Sequence, residues 1–112
     1  SLMLALMASG LNGQSFAFNG YLPVKPHERK AKIKELEKRS RNGKQSQIFI
    51  ETPYRNDAML ADILEVCEAS TRVCVAADIT LPSAYIKTRR VQDWRQNRVT
   101  IGKRPCVFIL MA

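Results

Sequence analysis

The sequence has one histidine, three cysteines and no long apolar run, and each scarcity excludes a class of protein. His27 opens a polar helical stretch, and no second histidine exists to partner a Ser or Cys, so nucleophilic catalysis is not indicated. A single histidine and cysteines without C-x-x-C spacing do not make a zinc site, so no metal is expected. No apolar stretch approaches the roughly 20 residues that span a bilayer, so no membrane partner is expected.

The three cysteines, Cys67, Cys74 and Cys106, each lie inside an apolar pattern, as buried thiols in a reducing compartment do. The chain has no N-x-S/T sequon, and its opening segment SLMLALMASG has no positively charged start, so a signal peptide is excluded. These features predict a cytoplasmic protein. The opening segment is instead expected to form a helix with no polar face, whose outer partner belongs to a longer protein.

Positive charge is concentrated in two blocks of this 112-residue chain, whose net charge is +8. Residues 25–44 carry nine Lys or Arg against three Glu, and residues 87–104 carry seven against one Asp. Such blocks favour a polyanionic partner, so residues 27–44 and 87–104 are candidate RNA-binding surfaces. Neither block interleaves aromatics for base stacking apart from Trp94, which is more typical of a core anchor. A solvated lysine-rich surface remains an equal alternative.

Hydrophobic periodicity predicts an α/β fold, bordering on α+β, with a mixed sheet of about five strands flanked by helices. The expected order is a first helix followed by β-α-β-α-β-β-α-β. Asn42-Gly43 is expected to close the basic helix, and Asn56 or Asp57 to cap the next one. The predicted elements are helices at 2–8, 27–41, about 57–67 and 91–97, and strands at 15–22, 46–51, 72–79, about 85–88 and 106–111.

Polar residues follow two of the predicted core strands directly, Glu51-Thr52 after one and Asp78 to Thr80 after the other. Ligands of open α/β sheets bind beyond the carboxyl ends of strands, where a carboxylate can accept from a ribose hydroxyl or an amine. The alternative is structural: Glu51 pairs with Arg55, while Asp78 and Thr80 make turn hydrogen bonds.

Four segments, GQSFAFNGYLP, IFIETPYRN, VAADIT and PCVFILM, resemble those of tetrapyrrole-methylase-like (class III) S-adenosylmethionine-dependent methyltransferases in order and spacing. The branch that they resemble most is the ribosomal RNA small-subunit methyltransferase I family, which 2′-O-methylates a cytidine. The most specific block is Glu51-Thr52-Pro53-Tyr54-Arg55, which matches the family pattern E-[ST]-P-[HY]-R. The family's R-E-L-T-K appears here as Ala77-Asp78-Ile79-Thr80-Leu81, without its Arg and Lys, which leaves the methyl acceptor open.

The resemblance implies that residues 14–112 are a carboxyl-terminal subdomain and that residues 1–13 are a helix and linker from a missing amino-terminal domain. That domain would hold most of the S-adenosylmethionine site, and this chain alone would be inactive. Family members are homodimers, so a homodimer is implied for the parent protein. No catalytic residue is assigned. The implied cofactor-binding residues are Glu51, Thr52, Ala77 and Pro105, and the implied substrate-binding residues are Tyr54, Arg55, Asn56 and Thr80.

Two functions from different classes therefore follow from the sequence. The first is the cleft-closing, substrate-facing part of a methyltransferase, which needs little acid–base chemistry because the sulfonium is a good leaving group. The alternative is a basic RNA-binding module without catalytic activity of its own.

Overall fold

A computed structural model describes residues 2–112, in which four helices and five strands follow the predicted order. A single turn of 3₁₀-helix, Pro53–Arg55, joins the second strand to the third helix. The elements are α1 (Leu2–Ser9), β1 (Phe16–Tyr21), α2 (Pro26–Gly43), β2 (Ser46–Ile50), α3 (Asn56–Val66), β3 (Arg72–Ala77), β4 (Tyr85–Arg90), α4 (Val91–Gln96) and β5 (Cys106–Met111).

The five strands form one mixed sheet in the order β1-β2-β5-β3-β4. β1 and β2 are parallel, and every other neighbouring pair is antiparallel. The last strand therefore lies at the centre of the sheet, between β2 and β3. This arrangement confirms the predicted α/β class and the mixed sheet of about five strands.

Helices cover both faces of the sheet, but unequally. On one face α2, α3 and α4 enclose the larger core, in which the rings of Phe49 and Phe108 stack at 5.8 Å. On the other face α1 packs Ala5 and Leu6 onto β3 and β5. Because β3 and β5 are covered on both faces, their sequences are continuously apolar rather than alternating.

The outward side of α1 is apolar and open to solvent. Met3 and Met7 expose 54% and 74% of their surface, and Phe16 and Phe18 of the edge strand β1 expose 40% and 49%. Phe18 lies in register with Ile48, so these rings extend the sheet face that α1 covers only in part. Patches of this kind usually mark an interface.

α2 ends at Gly43, as expected, and Lys44 after it takes the left-handed conformation with φ 50°. The predicted cap of α3 is wrong. Neither Asn56 nor Asp57 caps α3 with its side chain, because both side chains bind elsewhere. Trp94 lies inward as expected, fully buried, with Nε1 donating to the Val73 carbonyl at 3.0 Å. All three cysteines are buried and free, as predicted.

Candidate functional site: a cleft at the ends of the core strands

A cleft of about 400 Å³ opens where β2 ends and β5 begins. Glu51 and Pro105 lie on its two sides, and Thr80, beyond the end of β3, also lines it. The remaining walls are mostly apolar and include Leu2 of α1 and Tyr21 of β1. Three of the eight residues implied as binding residues, namely Glu51, Thr80 and Pro105, therefore meet at one cavity.

Glu51 is the buried charge of the cleft, with 7% of the residue exposed. Its Oε1 accepts from the backbone N–H of Thr52 at 2.7 Å and lies 3.4 Å from the Thr52 hydroxyl. Arg55 Nη1 is 3.9 Å from the same oxygen, at the outer limit of an ion pair. Oε2 is also buried and has no hydrogen-bond partner within residues 2–112. A buried acceptor without a donor costs free energy, so this oxygen lacks the donor that its burial calls for.

The other two implied cofactor residues lie next to the cleft rather than in its lining. Thr52 is half-buried and directs its N–H to Glu51. Ala77 is fully buried in the larger core, paired in register with Cys106, which does line the cleft. Burial raises the pKa of the Cys106 thiol to about 12, so this residue is a neutral thiol near neutral pH and not a nucleophile.

Tyr54 and Arg55, two of the implied substrate residues, project from the 3₁₀ turn at the rim. Tyr54 exposes 79% of its surface, and Lys103 Nζ lies 5.0 Å from its ring centroid. The Arg55 side chain is 41% exposed, and its contact with Glu51 is a long one. Both side chains are accessible to a molecule that approaches the cleft.

Asn56 is fully buried and serves a loop instead of the cleft lining. Its Nδ2 donates to the carbonyl oxygens of Gly102 and Arg104, at 3.1 and 2.7 Å. The neighbouring Asp57 accepts from the N–H groups of Ile101 and Gly102. Together these side chains hold the 101–104 loop, which leads into β5. The polar pair at the helix start was visible in the sequence, but its partners lie more than 40 residues away.

Asp78 makes turn contacts, as the structural alternative expects. It adopts φ 50°, a left-handed conformation that Asp tolerates better than most residues. Its Oδ2 accepts from the Ser83 hydroxyl at 3.1 Å and lies 3.5 Å from Arg104 Nη1. The left-handed residue ends β3 at Ala77, two positions before the predicted end, and turns Thr80 toward the cleft.

Comparison with known proteins identifies the relatives of this chain. It is 40% identical over 80 residues to the ribosomal RNA small subunit methyltransferase I of Vibrio cholerae, covering 71% of this chain and 26% of that protein. It is 33% identical over 110 residues to the protein of the same name from Buchnera aphidicola, covering 96% and 37%. The chain is therefore homologous to ribosomal RNA small subunit methyltransferase I. It spans well under half the length of these relatives.

The fold comparison agrees with this homology. The crystal structure of the methyltransferase CobJ superposes with a TM-score of 0.61 at 21% identity, covering 99% of this chain and 47% of that one. At this identity the match shows a shared fold. No family model matches the chain. The resemblance to the methyltransferase I family, first seen in four short segments, is thus confirmed by relatives aligned over most of the chain.

The basic helix of this methyltransferase I homologue is largely neutralised by its own neighbours. Within residues 2–112, six of the nine cations of residues 25–44 pair with carboxylates, so the helix carries much less free charge than its sequence indicates. The pairs are Arg29–Asp62, Lys30–Glu65, Lys32–Glu35, Lys34–Glu37, Arg39–Glu35 and Arg41–Glu68, at 2.6 to 3.5 Å.

The second basic block differs in this respect. Among its seven cations, Arg104 alone pairs with a carboxylate within residues 2–112, that of Asp78. Arg95 donates instead to the carbonyl oxygens of Leu64 and Cys67, which fixes α4 against α3. The two blocks have equal formal charge in the sequence but unequal free charge in the fold.

Within residues 2–112, no group of three or more His, Cys, Asp or Glu side chains is placed to hold a metal ion. Every helix described there is too short or too polar to traverse a bilayer.

Proposed function

We propose that this chain is the carboxyl-terminal part of an S-adenosylmethionine-dependent methyltransferase acting on ribosomal RNA. In this proposal the cleft forms one wall of the cofactor site. The relatives' names support the reaction class, and the position of the E-T-P-Y-R block at the cleft supports the site. The observation that carries the proposal is Glu51, which lines the cavity and whose buried Oε2 has no hydrogen-bond partner within residues 2–112.

The cleft has the chemistry that S-adenosylmethionine requires. Glu51 offers one free acceptor oxygen, which suits a ribose hydroxyl or the amino group of the methionine portion. The apolar wall of the cleft can cover an adenosine and exclude water; it includes Leu2, Ile50 and Val107. When bound, the cofactor supplies an electrophilic methyl group on a sulfonium.

In the proposed reaction this chain mainly positions the methyl acceptor. Thr80 at the cleft, and Tyr54 and Arg55 at its rim, would face the acceptor, and the family resemblance favours a ribose 2′-hydroxyl of cytidine. Holding an acceptor oxygen in line with the methyl group can supply a large part of the rate enhancement. Asn56 would act indirectly, because it holds the loop that leads to Pro105.

We propose the same division of the chain as the family resemblance implies. Residues 1–13 would connect to an amino-terminal domain that completes the cofactor site, and residues 14–112 would form the carboxyl-terminal subdomain. The exposed Met3, Met7, Phe16 and Phe18, together with Leu2 at the cleft, support a further protein surface on this side. A homodimer of the parent protein and a cytoplasmic location remain predictions.

The test is a chimera with the Vibrio cholerae relative. The region of that protein that matches this chain is replaced by this chain, and transfer of a radiolabelled methyl group to small-subunit ribosomal RNA is measured. We expect the chimera to methylate the RNA at a ribose 2′-oxygen and the 112-residue chain alone to be inactive. A folded chimera that transfers no methyl group would contradict the function, and methyl transfer by the chain alone would contradict the division.

The alternative, a basic RNA-binding module without activity of its own, has less support. It relies on both basic blocks, and in the block on α2 most cations are already paired. It also leaves the unpartnered oxygen of Glu51 without a role.

A further inference from the structure

Three cations of the second basic block that have no carboxylate partner within residues 2–112 lie along one side of the edge strand β4 or next to it. Lys87 and Arg89 are two residues apart in this strand, so their side chains leave the same face about 7 Å apart. Arg89 Nη1 lies 3.4 Å from the carbonyl oxygen of Asn97, which places Arg98 next in the series. Lys87 and Arg98 are exposed, and none of the three has a carboxylate partner in residues 2–112.

We propose that Lys87, Arg89 and Arg98, hereafter the β4 cation row, bind the phosphate backbone of the RNA that enters the cleft. This inference rests on the proposed function, because it names the surface that holds the substrate of that same site. It also assigns the RNA contact to one of the two basic blocks and not to α2.

The row leads toward the sheet edge at which the cleft opens, although the cleft is lined mainly by residues of the other sheet face. Tyr85 precedes Lys87 by two residues on the same strand face, and the Arg104 guanidinium lies 5.9 Å from the Tyr85 ring centroid. Arg104 is followed directly by Pro105, which lines the cleft. A strand of RNA lying along β4 would therefore reach the sheet edge that carries Pro105, from which a single nucleotide could enter the cavity.

The contacts available in the row suit phosphates and not bases. Arg89 lies over the Trp94 ring at 4.7 Å, and the buried Trp94 offers no stacking surface to a base. The Arg89 guanidinium has five N–H donors, of which the structure pairs one. Because charge and N–H donors are all that the row presents, it should position RNA without reading its sequence.

The experiment compares variants with the same change in net charge. The 112-residue chain is titrated with a fluorescein-labelled single-stranded RNA of about 16 nucleotides, from roughly 50 to 200 mM NaCl. The row variant is Lys87→Gln/Arg98→Gln, which leaves the Arg89–Trp94 contact in place.

The first control, Lys32→Gln/Arg39→Gln, removes two α2 cations that pair with Glu35. The second, Arg72→Gln/Arg90→Gln, removes two unpaired cations that lie opposite each other on β3 and β4. Thermal unfolding checks that each variant is folded.

We expect the row variant to bind roughly five- to tenfold more weakly at low salt and its salt slope to fall by about 1.4, with both controls within about twofold of wild type. Equal weakening of all three variants would show that net charge alone matters. Wild-type binding by the row variant would show that the row does not bind RNA. Either result would overturn the proposal.

The chimera assay separates this result from the proposed function. Row variants that bind normally in a chimera that methylates RNA would refute the row alone, whereas a chimera without RNA methylation would refute the function.

Discussion

The Asp57 carboxylate accepts the backbone N–H of Ile101 at 2.7 Å, across 44 positions of sequence. Its second oxygen accepts the N–H of Gly102 at 3.1 Å. A side chain in the first turn of α3 thereby fixes the loop that carries Lys103 and Arg104 and that begins β5. The carboxylate that the sequence predicts as a helix cap instead organises one border of the candidate site.

Asp57→Ala should destabilise the folded chain by about 2 kcal/mol, because it leaves the N–H of the buried Ile101 without an acceptor. Urea unfolding measures this loss. Asp57→Asn keeps one acceptor oxygen and should lose roughly half as much. The matched control is Asp93→Ala, which removes a carboxylate from the first turn of α4 and should change stability by less than about 0.5 kcal/mol. Equal losses at Asp57 and Asp93 would indicate a helix-dipole effect and not the loop contact.

The order of helices and strands is predictable here because the core-facing residues recur with clear periods. The apolar spacing in α3 and the continuous apolar runs of β3 and β5 are local signals, and they appear in the structure as expected. The ends of helices are harder to predict, because a polar side chain near a helix end can bind either the helix itself or a partner distant in sequence. The sequence around Asp57 contains no pattern that distinguishes a helix cap from a contact with a distant loop.

Lys44→Gly should stabilise the chain by about 0.5–1 kcal/mol. Lys44 ends α2 in the left-handed conformation, where a Cβ is unfavourable and glycine is not. The control is Lys38→Gly in the exposed interior of the same helix, where glycine should cost about 1 kcal/mol. The two substitutions have the same chemistry and should shift the unfolding midpoint in opposite directions. A loss of stability at Lys44 would contradict the interpretation of the cap.

Glu37 should make folding sensitive to acid. It is buried in α2 and accepts from the Thr71 hydroxyl at 2.6 Å and from the Glu68 N–H at 2.8 Å. Burial opposes its charge, but these hydrogen bonds, with Lys34 and Arg41 nearby, hold the pKa of the carboxyl below its ordinary value. Its contribution to stability is therefore complete above about pH 4.5, the ordinary pKa, and is lost as the pH falls through the lowered pKa of the folded state.

Glu37→Gln should cost about 1.5–3 kcal/mol at pH 7, and the difference from wild type should shrink at pH values below the lowered pKa. Unfolding by urea at several pH values measures both effects. Glu35→Gln is the matched control on the same helix, since Glu35 is exposed and pairs only with surface cations. Its effect should be much smaller. A Glu37 difference that stays constant as the pH falls would exclude the ionised carboxylate as its cause.

The candidate site is predictable only in part, for a similar reason. Glu51, Thr80 and Pro105 are found at the cleft because the ends of strands meet at one edge of a sheet, which is a property of the fold class. The burial of Asn56 depends on distant backbone carbonyls, and three of the six α2 ion pairs depend on carboxylates distant in sequence. The equal net charges of the two basic blocks in the sequence conceal this difference completely.

Arg55→Ala should reduce methyl transfer by the chimera at least tenfold while changing stability by less than about 1 kcal/mol. The 3.9 Å contact with Glu51 is long and the Arg55 side chain is 41% exposed, so little folding energy depends on the contact. Arg39→Ala is the control, because Arg39 also pairs with a glutamate four residues away but lies on α2. Radiolabel transfer and urea unfolding give the two readouts. Comparable losses of activity and stability at Arg55 would support a purely structural ion pair.

Glu51→Gln should separate folding from cofactor binding. One oxygen of this buried carboxylate has no partner, so removing the charge should leave stability unchanged or raise it by about 1 kcal/mol. If Oε2 accepts from the cofactor, losing that charge-assisted hydrogen bond should weaken binding of S-adenosylmethionine to the chimera by roughly 10- to 100-fold. Calorimetric titration of the chimera measures affinity, and urea unfolding of the 112-residue chain measures stability. The opposite pattern, lost stability with normal cofactor affinity, would assign Glu51 to Arg55 and Thr52 and remove the central support for a cofactor at this cleft.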